Sequence, residues 1–471
     1  MLFSSIPFLY YYLPVVLIAY YLAPKPVKNG VLLLASLVFY GWGEPSFVFL
    51  MMATIGLGYV FGILIEKFKQ EKYKGKPWAK ICMVVSVGIS LGLLGYFKYA
   101  NFFITNVNAV TGMSIPLLKV VLPIGISFYT FQLVSYIIDV YWGKVAAQKN
   151  LVILATYITM FPQLIAGPIV RYSDVEKQLK ERSITFDKIA YGIRRFALGL
   201  GKKILIANVL GEFCAAFKET DEKSILFFWA YAIAVSMQIY FDFSGYSDMA
   251  IGLGGMLGFH FIENFNYPFI SKSATEFWRR WHMSLGTWFR DYVYIPLGGS
   301  RCSVAKNLLN IFIVWMLTGF WHGAEWTFIA WGLYFGILLM LEKTILLKWL
   351  EKIPLLGHTY ILILGIISFV IFDAVSIADA FAHISAMFGG AGLPVTTGLT
   401  MYYLRSYAVM FVIAVIGATP LPKMLFEKIN SSRIGNKFVS VLEPVIMILI
   451  VVVATGYLVD GSFNPFLYFR F

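Results

Sequence analysis

Long apolar stretches separated by short polar segments recur along the whole chain. Runs close to the ~20 apolar residues that span a bilayer as a helix extend from the N-terminus to a last stretch at 442–459. Lys and Arg cluster between them, for example at 25–28, 67–80 and 343–352. Cytoplasmic loops are rich in basic residues, and most intervals between clusters leave room for two spans. The pattern therefore predicts an all-α polytopic membrane protein with about 11 to 12 transmembrane helices and both termini on the outer face.

Two segments within this pattern carry helix-breaking or small residues. The segment LVILATYITMFPQLIAGPIVRY lies between two basic clusters and contains Pro162, Gly167 and Pro168. These residues interrupt a helix, so the segment predicts a re-entrant element instead of a full crossing. The glycine-rich GLGGMLG at 252–258 lies in an apolar helix and predicts close helix packing instead of a phosphate cradle.

The composition and the charge exclude several other classes of protein. Of the 471 residues, 59% are hydrophobic and only 13% are charged, which excludes a water-soluble globule of ordinary composition. The net charge of +13 comes from short basic clusters between spans, so we expect no nucleic-acid partner. Cys82, Cys214 and Cys302 are far apart, which indicates neither a disulfide framework nor a thiolate metal site.

The first of two unusual histidines, His282, lies in the segment SKSATEFWRRWHMSLGTWFRDYVYIPLGGSR. Ser273 and Glu276 form a capping-box pattern that predicts the start of a helix. If the helix continues, one apolar face contains Trp278, His282, Leu285 and Phe289. A hydrogen-bonded core histidine and a functional histidine are both compatible with this position.

The second unusual histidine, His322, lies in LTGFWHGAEWTF, between two largely apolar segments. Gly319 and Gly323 lie close to it and predict an interrupted helix. Non-helical backbone at membrane depth survives only where protein buries it or water reaches it, so the interruption predicts a cavity. Glu325 follows, and an ionisable residue at this depth indicates a functional site. The alternative is a His322–Glu325 pair that only ties helices together.

Buried histidines in this setting suit acyl transfer. A neutral imidazole can take a proton from a hydroxyl group and so activate it as a nucleophile. A second histidine would then orient the acyl carbonyl or stabilise the developing oxyanion. The sequence contains no GxSxG or HExxH motif, which leaves serine-hydrolase and zinc-peptidase chemistry without support, and we expect no bound metal.

A polar patch interrupts the apolar helix that contains QIYFDFSGYSDMAIG. Asp242 and Ser244 lie in it, followed by Ser247 and Asp248. Acidic residues at this depth either line a hydrophilic passage or form polar interactions with neighbouring helices. We slightly favour the second, structural role.

The last eleven residues, GSFNPFLYFRF, are rich in aromatic side chains. One interpretation is an anchor at the membrane interface, where aromatic residues are enriched. The other is a tail that folds back from the outer face and places Tyr468 beside the site. A phenol has a pKa near ~10, so Tyr468 would need a base such as His322 to act as a nucleophile.

At these motifs the chain resembles the membrane-bound O-acyltransferase (MBOAT) superfamily. The similar branch is bacterial and contains the alginate and peptidoglycan O-acetylation membrane subunits and the teichoic-acid D-alanyl transfer protein. The resemblance runs from about residue 120 to the end, whereas the first ~100 residues match mainly in hydropathy. It implies one integral-membrane domain with N-terminal helices at 1–118, a motif-bearing core at 119–459 and an extracytoplasmic tail at 460–471. It also implies a ring of helices around a thin centre, with a cytoplasmic opening for the acyl donor and an outer funnel for the acceptor.

The resemblance assigns roles to particular residues. His322 corresponds to the family's near-invariant catalytic histidine, His282 to its second histidine, and Tyr468 to the tyrosine of an FxYxxF pattern that is proposed to relay the acyl group. We expect these three to be catalytic. The candidates for lining the substrate tunnel are Trp281, Arg290, Asp291, Trp321, Glu325, Asp242, Ser244, Phe466 and Phe471.

The function that the resemblance implies is O-acylation of a cell-envelope polysaccharide from the bacterial cytoplasmic membrane. The segment RDYVYIPLGGSR is more similar to the O-acetylation branch, so acetyl is the preferred acyl group, with D-alanyl transfer as the alternative. We expect no tightly bound cofactor, acetyl-CoA as the co-substrate, and an extracytoplasmic esterase-like subunit as the partner. A secondary transporter or flippase and a non-catalytic scaffold remain as alternatives, although no internal repeat of broken segments supports transport.

Overall fold

The computed structural model describes residues 1–461, and all of the regular secondary structure in them is helical. This confirms the predicted all-α fold class. The chain divides into two compact units. The first contains Met1–Phe196 and Met249–Ile262, and the second contains Ala197–Asp248 and the described residues from Glu263 to 461. The C-terminal candidates Phe466, Tyr468 and Phe471 lie outside the described residues.

The first unit contains the α-helices α1 Leu13–Leu22, α2 Lys28–Gly43, α3 Phe47–Phe68, α4 Trp78–Leu94, α5 Ala100–Thr111, α6 Ile126–Trp142, α7 Leu151–Thr159, α8 Phe161–Leu164 and α9 Tyr172–Lys180, and the part of α10, Phe186–Gly201, up to Phe196. Its core is aromatic: the rings of Phe3, Phe8, Phe39 and Phe161 pack with centroids 4.9 to 6.5 Å apart. Glycines let α3 approach α6, because a Cβ at Gly58 would lie 2.1 Å from Leu133.

The segment at 151–172 is interrupted as the sequence predicts. Helix α7 has nine residues and α8 has four, with the break at Met160. At ~1.5 Å per residue, α7 is about 14 Å long, roughly half of the hydrocarbon thickness of a bilayer. The segment is almost entirely buried after Ile153, so protein surrounds its irregular backbone.

The glycine-rich segment at 252–258 packs closely, as predicted. It lies at the end of α12, Ile225–Met256, and faces α10, Phe186–Gly201. A Cβ at Gly252 would lie 2.6 Å from the carbonyl oxygen of Gly192. Contact this close between backbones needs glycine, which explains the composition of the segment without a phosphate ligand.

The second unit contains α11 Val209–Glu219, the part of α12 up to Asp248, and the helices α13 Ala274–Arg280, α14 Met283–Phe289, α15 Val304–His322, α16 Trp326–Leu341, α17 Leu347–Lys352, α18 Pro354–Asp373, α19 Ile377–Met387, α20 Gly398–Ser406, α21 Ala408–Gly417, α22 Leu421–Asn430 and α23 Arg433–Val459. Helices α15 and α16 form an antiparallel hairpin. A Cβ at Gly319 would lie 3.1 Å from the Cα of Gly332, so the two backbones touch.

Among the described residues, seven helices are long and apolar enough to cross a membrane. The bent pair α20 and α21, which meet at 54°, makes an eighth if it is one span. The sequence predicts more crossings because hydropathy does not register breaks. Apolar segments such as Pro7–Leu22 and Ile377–Met387 form helices shorter than eighteen residues.

Candidate functional site

The chain around His282 departs from the helix that the spacing predicts. Helix α13 begins as expected, because the Ser273 hydroxyl accepts the Glu276 backbone N–H at 3.0 Å. It ends at Arg280, however, and His282 has φ 44° and ψ 52° before α14 begins at Met283. The continuous apolar face from Trp278 through His282 is therefore wrong.

Contacts with a distant segment explain the break. The Met283 backbone N–H donates to the carbonyl oxygen of Asn264 at 3.0 Å, and the Asn266 N–H donates to the carbonyl of Arg280 at 2.9 Å. A left-handed conformation at a residue other than glycine costs on the order of 1–3 kcal/mol, so the surrounding structure must fix it. Strain of this kind is concentrated at functional sites.

The side chain of His282 is 2% exposed and lies mainly among aromatic rings. The Phe243 ring meets it edge-on, with centroids 4.7 Å apart. Its Nδ1 lies 3.1 Å from Oδ1 of Asn264. Burial lowers the pKa of His282 to about 3. His282 therefore faces apolar material, as predicted, and the ring is neutral at neutral pH.

His322 is the last residue of α15, and the predicted interruption follows it at Gly323. The interruption is the turn of the hairpin between α15 and α16 and does not divide one straight span. A Cβ at Gly323 would lie 2.2 Å from the Phe328 ring, so only glycine fits there. The His322 ring is 6% exposed and lies 5.0 Å from the ring of Trp331 and 5.4 Å from that of Phe372.

The turn also determines the position of Glu325. This residue is exposed at the N-terminal end of α16, so it is not a buried acid beside His322. Glu325 is only three residues after His322 in the sequence, but the hairpin turn between the two residues brings the chain to the protein surface.

Trp321 brings the two histidines together. Its ring centroid lies 6.0 Å from that of His282 and 5.1 Å from that of His322. The Trp321 side chain is 4% exposed. The tryptophan that the sequence suggests as a lining residue therefore contacts both candidate catalytic side chains, one at the turn between α13 and α14 and the other at the end of α15.

The polar patch on α12 is part of a buried ion pair that the sequence does not reveal. Asp242 Oδ1 lies 2.6 Å from Nζ of Lys203, and the two side chains are 4% and 2% exposed. Lys203 lies in a π-helical turn, Lys202–Asn208. Asp242 therefore bonds a neighbouring element, which is the structural role that we favoured, and Ser244 is buried near it on the same helix.

The remaining candidates are placed as follows. Trp281 is buried and stacks on Phe277, with centroids 5.5 Å apart and the rings 15° from parallel. Arg290 donates to Asp291 at 2.8 Å, and its side chain is 60% exposed. This pair lies at the start of the π-helical turn that follows α14. The structure thus places Trp281 in the aromatic core and Arg290 at an exposed position.

The site has no evident metal centre in the part of the chain that the structure describes. Residues 1–461 contain no group of three or more His, Cys, Asp or Glu side chains that could hold a metal ion. Beside the imidazole of His282 the structure places the carboxamide of Asn264 and the hydroxyl of Ser284. Such groups move protons and form hydrogen bonds, which fits general acid–base chemistry.

Comparisons with known proteins agree with this chemistry. The model of the MBOAT, membrane-bound O-acyltransferase family matches residues 146–378, which include both histidines. The chain is 38% identical to the "Probable alginate O-acetylase AlgI" of Pseudomonas putida, over all of both chains. It is 34% identical to the peptidoglycan O-acetyltransferase of Helicobacter pylori, over 73% of this chain and 70% of that protein. With the teichoic acid D-alanyltransferase of Bacillus subtilis the identity is 34% over 46% and 58% of the two chains.

Proposed function

The chain belongs to the membrane-bound O-acyltransferase family, and from this premise we propose that it transfers acetyl groups for O-acetylation of a cell-envelope polysaccharide. The observation that carries the proposal is the pair of buried histidines, His282 and His322, which both contact the ring of Trp321. The relatives that align over most of the chain are named for O-acetylation, which supports acetyl over D-alanyl.

His322 is the general base in this proposal. Its imidazole takes the proton of an acceptor hydroxyl as the oxygen attacks the carbonyl carbon of an acetyl thioester. The new C–O bond forms, the C–S bond breaks, and the proton passes to the departing thiolate. The rings of Trp331 and Phe372 exclude water from the imidazole, which protects a thioester from hydrolysis.

The donor, the relay and the partner complete the proposal. Acetyl-CoA on the cytoplasmic side is the donor, and Tyr468 on the outer side receives the acetyl group. An extracytoplasmic esterase-like subunit then passes it to the polymer. This direction requires the C-terminus to lie outside, as the distribution of basic clusters indicates.

The test is replacement of His322 in cells that make the polymer. We expect His322→Ala and His322→Gln to lower the acetyl content of the purified polymer by about 10² to 10⁴-fold, the usual contribution of a general base. His260→Ala is the matched control, because His260 is exposed in the first unit. The amount of each variant in the membrane is measured in parallel.

Three outcomes separate the alternatives. Unchanged acetylation by His322→Ala at normal abundance ends the proposal. A loss that follows protein abundance, with a normal rate per molecule, indicates a scaffold. Membranes supplied with labelled acetyl-CoA should label the polymer, whereas labelling only from a D-alanyl carrier would establish the alternative acyl group.

A further inference from the structure

The carboxamide of Asn264 lies opposite His282 and is 1% exposed. Its Oδ1 is within hydrogen-bonding distance of three groups: the backbone N–H of Ser284 at 3.2 Å, the hydroxyl of Ser284 at 2.9 Å and Nδ1 of His282 at 3.1 Å. Asn264 lies in the irregular segment between α12 and α13. One buried oxygen thus contacts both His282 and Ser284, at the start of α14.

The Ser284 backbone identifies the atom of Asn264 that faces the histidine. A backbone N–H only donates, so the atom that it meets must be the carboxamide oxygen and not the nitrogen. An oxygen in turn only accepts, so Nδ1 of His282 must carry a hydrogen. A neutral imidazole has a single N–H. Nε2 of His282 therefore carries a lone pair.

That lone pair is available to a ligand. Nε2 of His282 is buried, and it has no hydrogen-bond partner among residues 1–461. A buried acceptor without a partner costs stability. Such a cost at a position whose backbone is also strained indicates that a bound molecule supplies the missing donor.

We infer that Asn264 is a positioning residue which fixes the tautomer of His282, so that Nε2 accepts a hydrogen bond from an O–H or N–H group of a substrate. This inference rests on the proposed acyl transfer and changes one part of it. The oxyanion-stabilising role that the sequence suggests for His282 requires an N–H donor, and Asn264 already binds the only one. His282 therefore orients or activates a donor group, while the oxyanion depends on other groups.

Burial maintains the neutral ring that this role requires. It lowers the pKa of His282 to about 3, so protonation of Nε2 does not compete at neutral pH. The rings that contact it are Phe243 of α12 and Trp321 of α15, neither of which carries a charge. Asn264 and Ser284, the polar neighbours, do not titrate either.

The test compares two replacements of Asn264 in the full-length protein in lipid nanodiscs, with acetyl transfer as the assay. Asn264→Leu keeps the approximate size but removes the acceptor, and we expect a loss on the order of 10²-fold. Asn264→Asp keeps an acceptor oxygen and should restore most of the rate. Its carboxylate raises the pKa of His282, so the acid limb of the pH–rate profile should move to higher pH. Equal losses of rate in the two variants, with that limb unmoved, would indicate a purely structural Asn264.

Kinetics identify the substrate that supplies the hydrogen. If the group belongs to the acyl donor, Asn264→Leu raises the KM for acetyl-CoA; if it is the acceptor hydroxyl, kcat falls and that KM stays constant. The tautomer of His282 is determined from its ¹⁵N chemical shifts in the labelled wild-type protein. This measurement needs no variant, so it tests the inference even if Asn264→Leu folds poorly. A proton on Nε2, or a wild-type rate and pH profile for Asn264→Leu, overturns the inference. The proposed function fails separately, through an active His322→Ala variant.

Discussion

The ion pair between Lys203 and Asp242 gives a quantitative prediction for the stability of the second unit. Both side chains are nearly completely buried, and their charged atoms lie 2.6 Å apart. Lys203→Met removes the cation and leaves the Asp242 carboxylate buried without it. Breaking a buried pair in this way costs about 3 to 5 kcal/mol, because the remaining charge keeps its desolvation cost. The adjacent pair, Lys202 and Asp248, is 31% and 11% exposed, so Lys202→Met should cost about 1 kcal/mol or less.

Thermal unfolding of the purified protein in detergent measures the difference. At a few degrees per kcal/mol, we expect Lys203→Met to lower the midpoint by roughly 6 to 20 °C and Lys202→Met by roughly 4 °C at most. The double variant Lys203→Met and Asp242→Leu should recover most of the loss, since an apolar pair replaces an ionic one at little cost. Equal shifts for the two lysine variants, or a double variant as unstable as Lys203→Met, would refute the reasoning.

Two further predictions concern His282 and the C-terminal tail. Burial lowers the pKa of His282 to about 3 from the ordinary value of 6.5, so between these pH values the unfolded chain binds more protons than the folded one. The free energy of unfolding should therefore fall as the pH drops below 6.5, by up to ~1.4 kcal/mol per pH unit. His282→Gln should reduce this loss. Equal changes of the melting midpoint between pH 7 and 5 in the wild-type protein and in His282→Gln would contradict the prediction. For the relay, mass spectrometry of the C-terminal peptide after incubation with acetyl-CoA should find an acetyl group on Tyr468. No adduct, together with full activity of Tyr468→Phe, would exclude that step.

Local rules account for the parts of the site that the sequence predicts correctly. The cap at Ser273, the break after His322 and the close packing at Gly252 each depend on residues within a few positions along the chain, or on the absence of a side chain. Capping and glycine chemistry act over that range, so the sequence is sufficient for them. The all-α membrane fold follows for the same reason, because the length and hydropathy of a segment are local properties.

The parts that the sequence does not predict depend on distant contacts. Helical spacing extends α13 through His282, but Asn264 and Asn266 bind the backbone there and end the helix. The partner of Asp242 is Lys203, which lies on another element and within a cluster that looks like an ordinary basic loop. The exposure of Glu325 is not predicted for a related reason: a break between apolar segments does not distinguish an interrupted span from a hairpin turn.

The positions of the two histidines fit the different roles that we propose for them. His322 is the last residue of α15, where the unsatisfied carbonyl groups of a helix carry partial negative charge and favour a positive charge nearby. A base needs such surroundings, because it becomes an imidazolium when it takes the proton. His282 instead follows the end of α13 in a strained turn. Burial disfavours its protonated form, and its Nδ1 is hydrogen-bonded to Asn264. When two titratable groups in one site have different surroundings, they take different acid–base roles in the reaction. The proton of the acceptor hydroxyl should therefore move to His322, while His282 remains neutral and acts only through its lone pair.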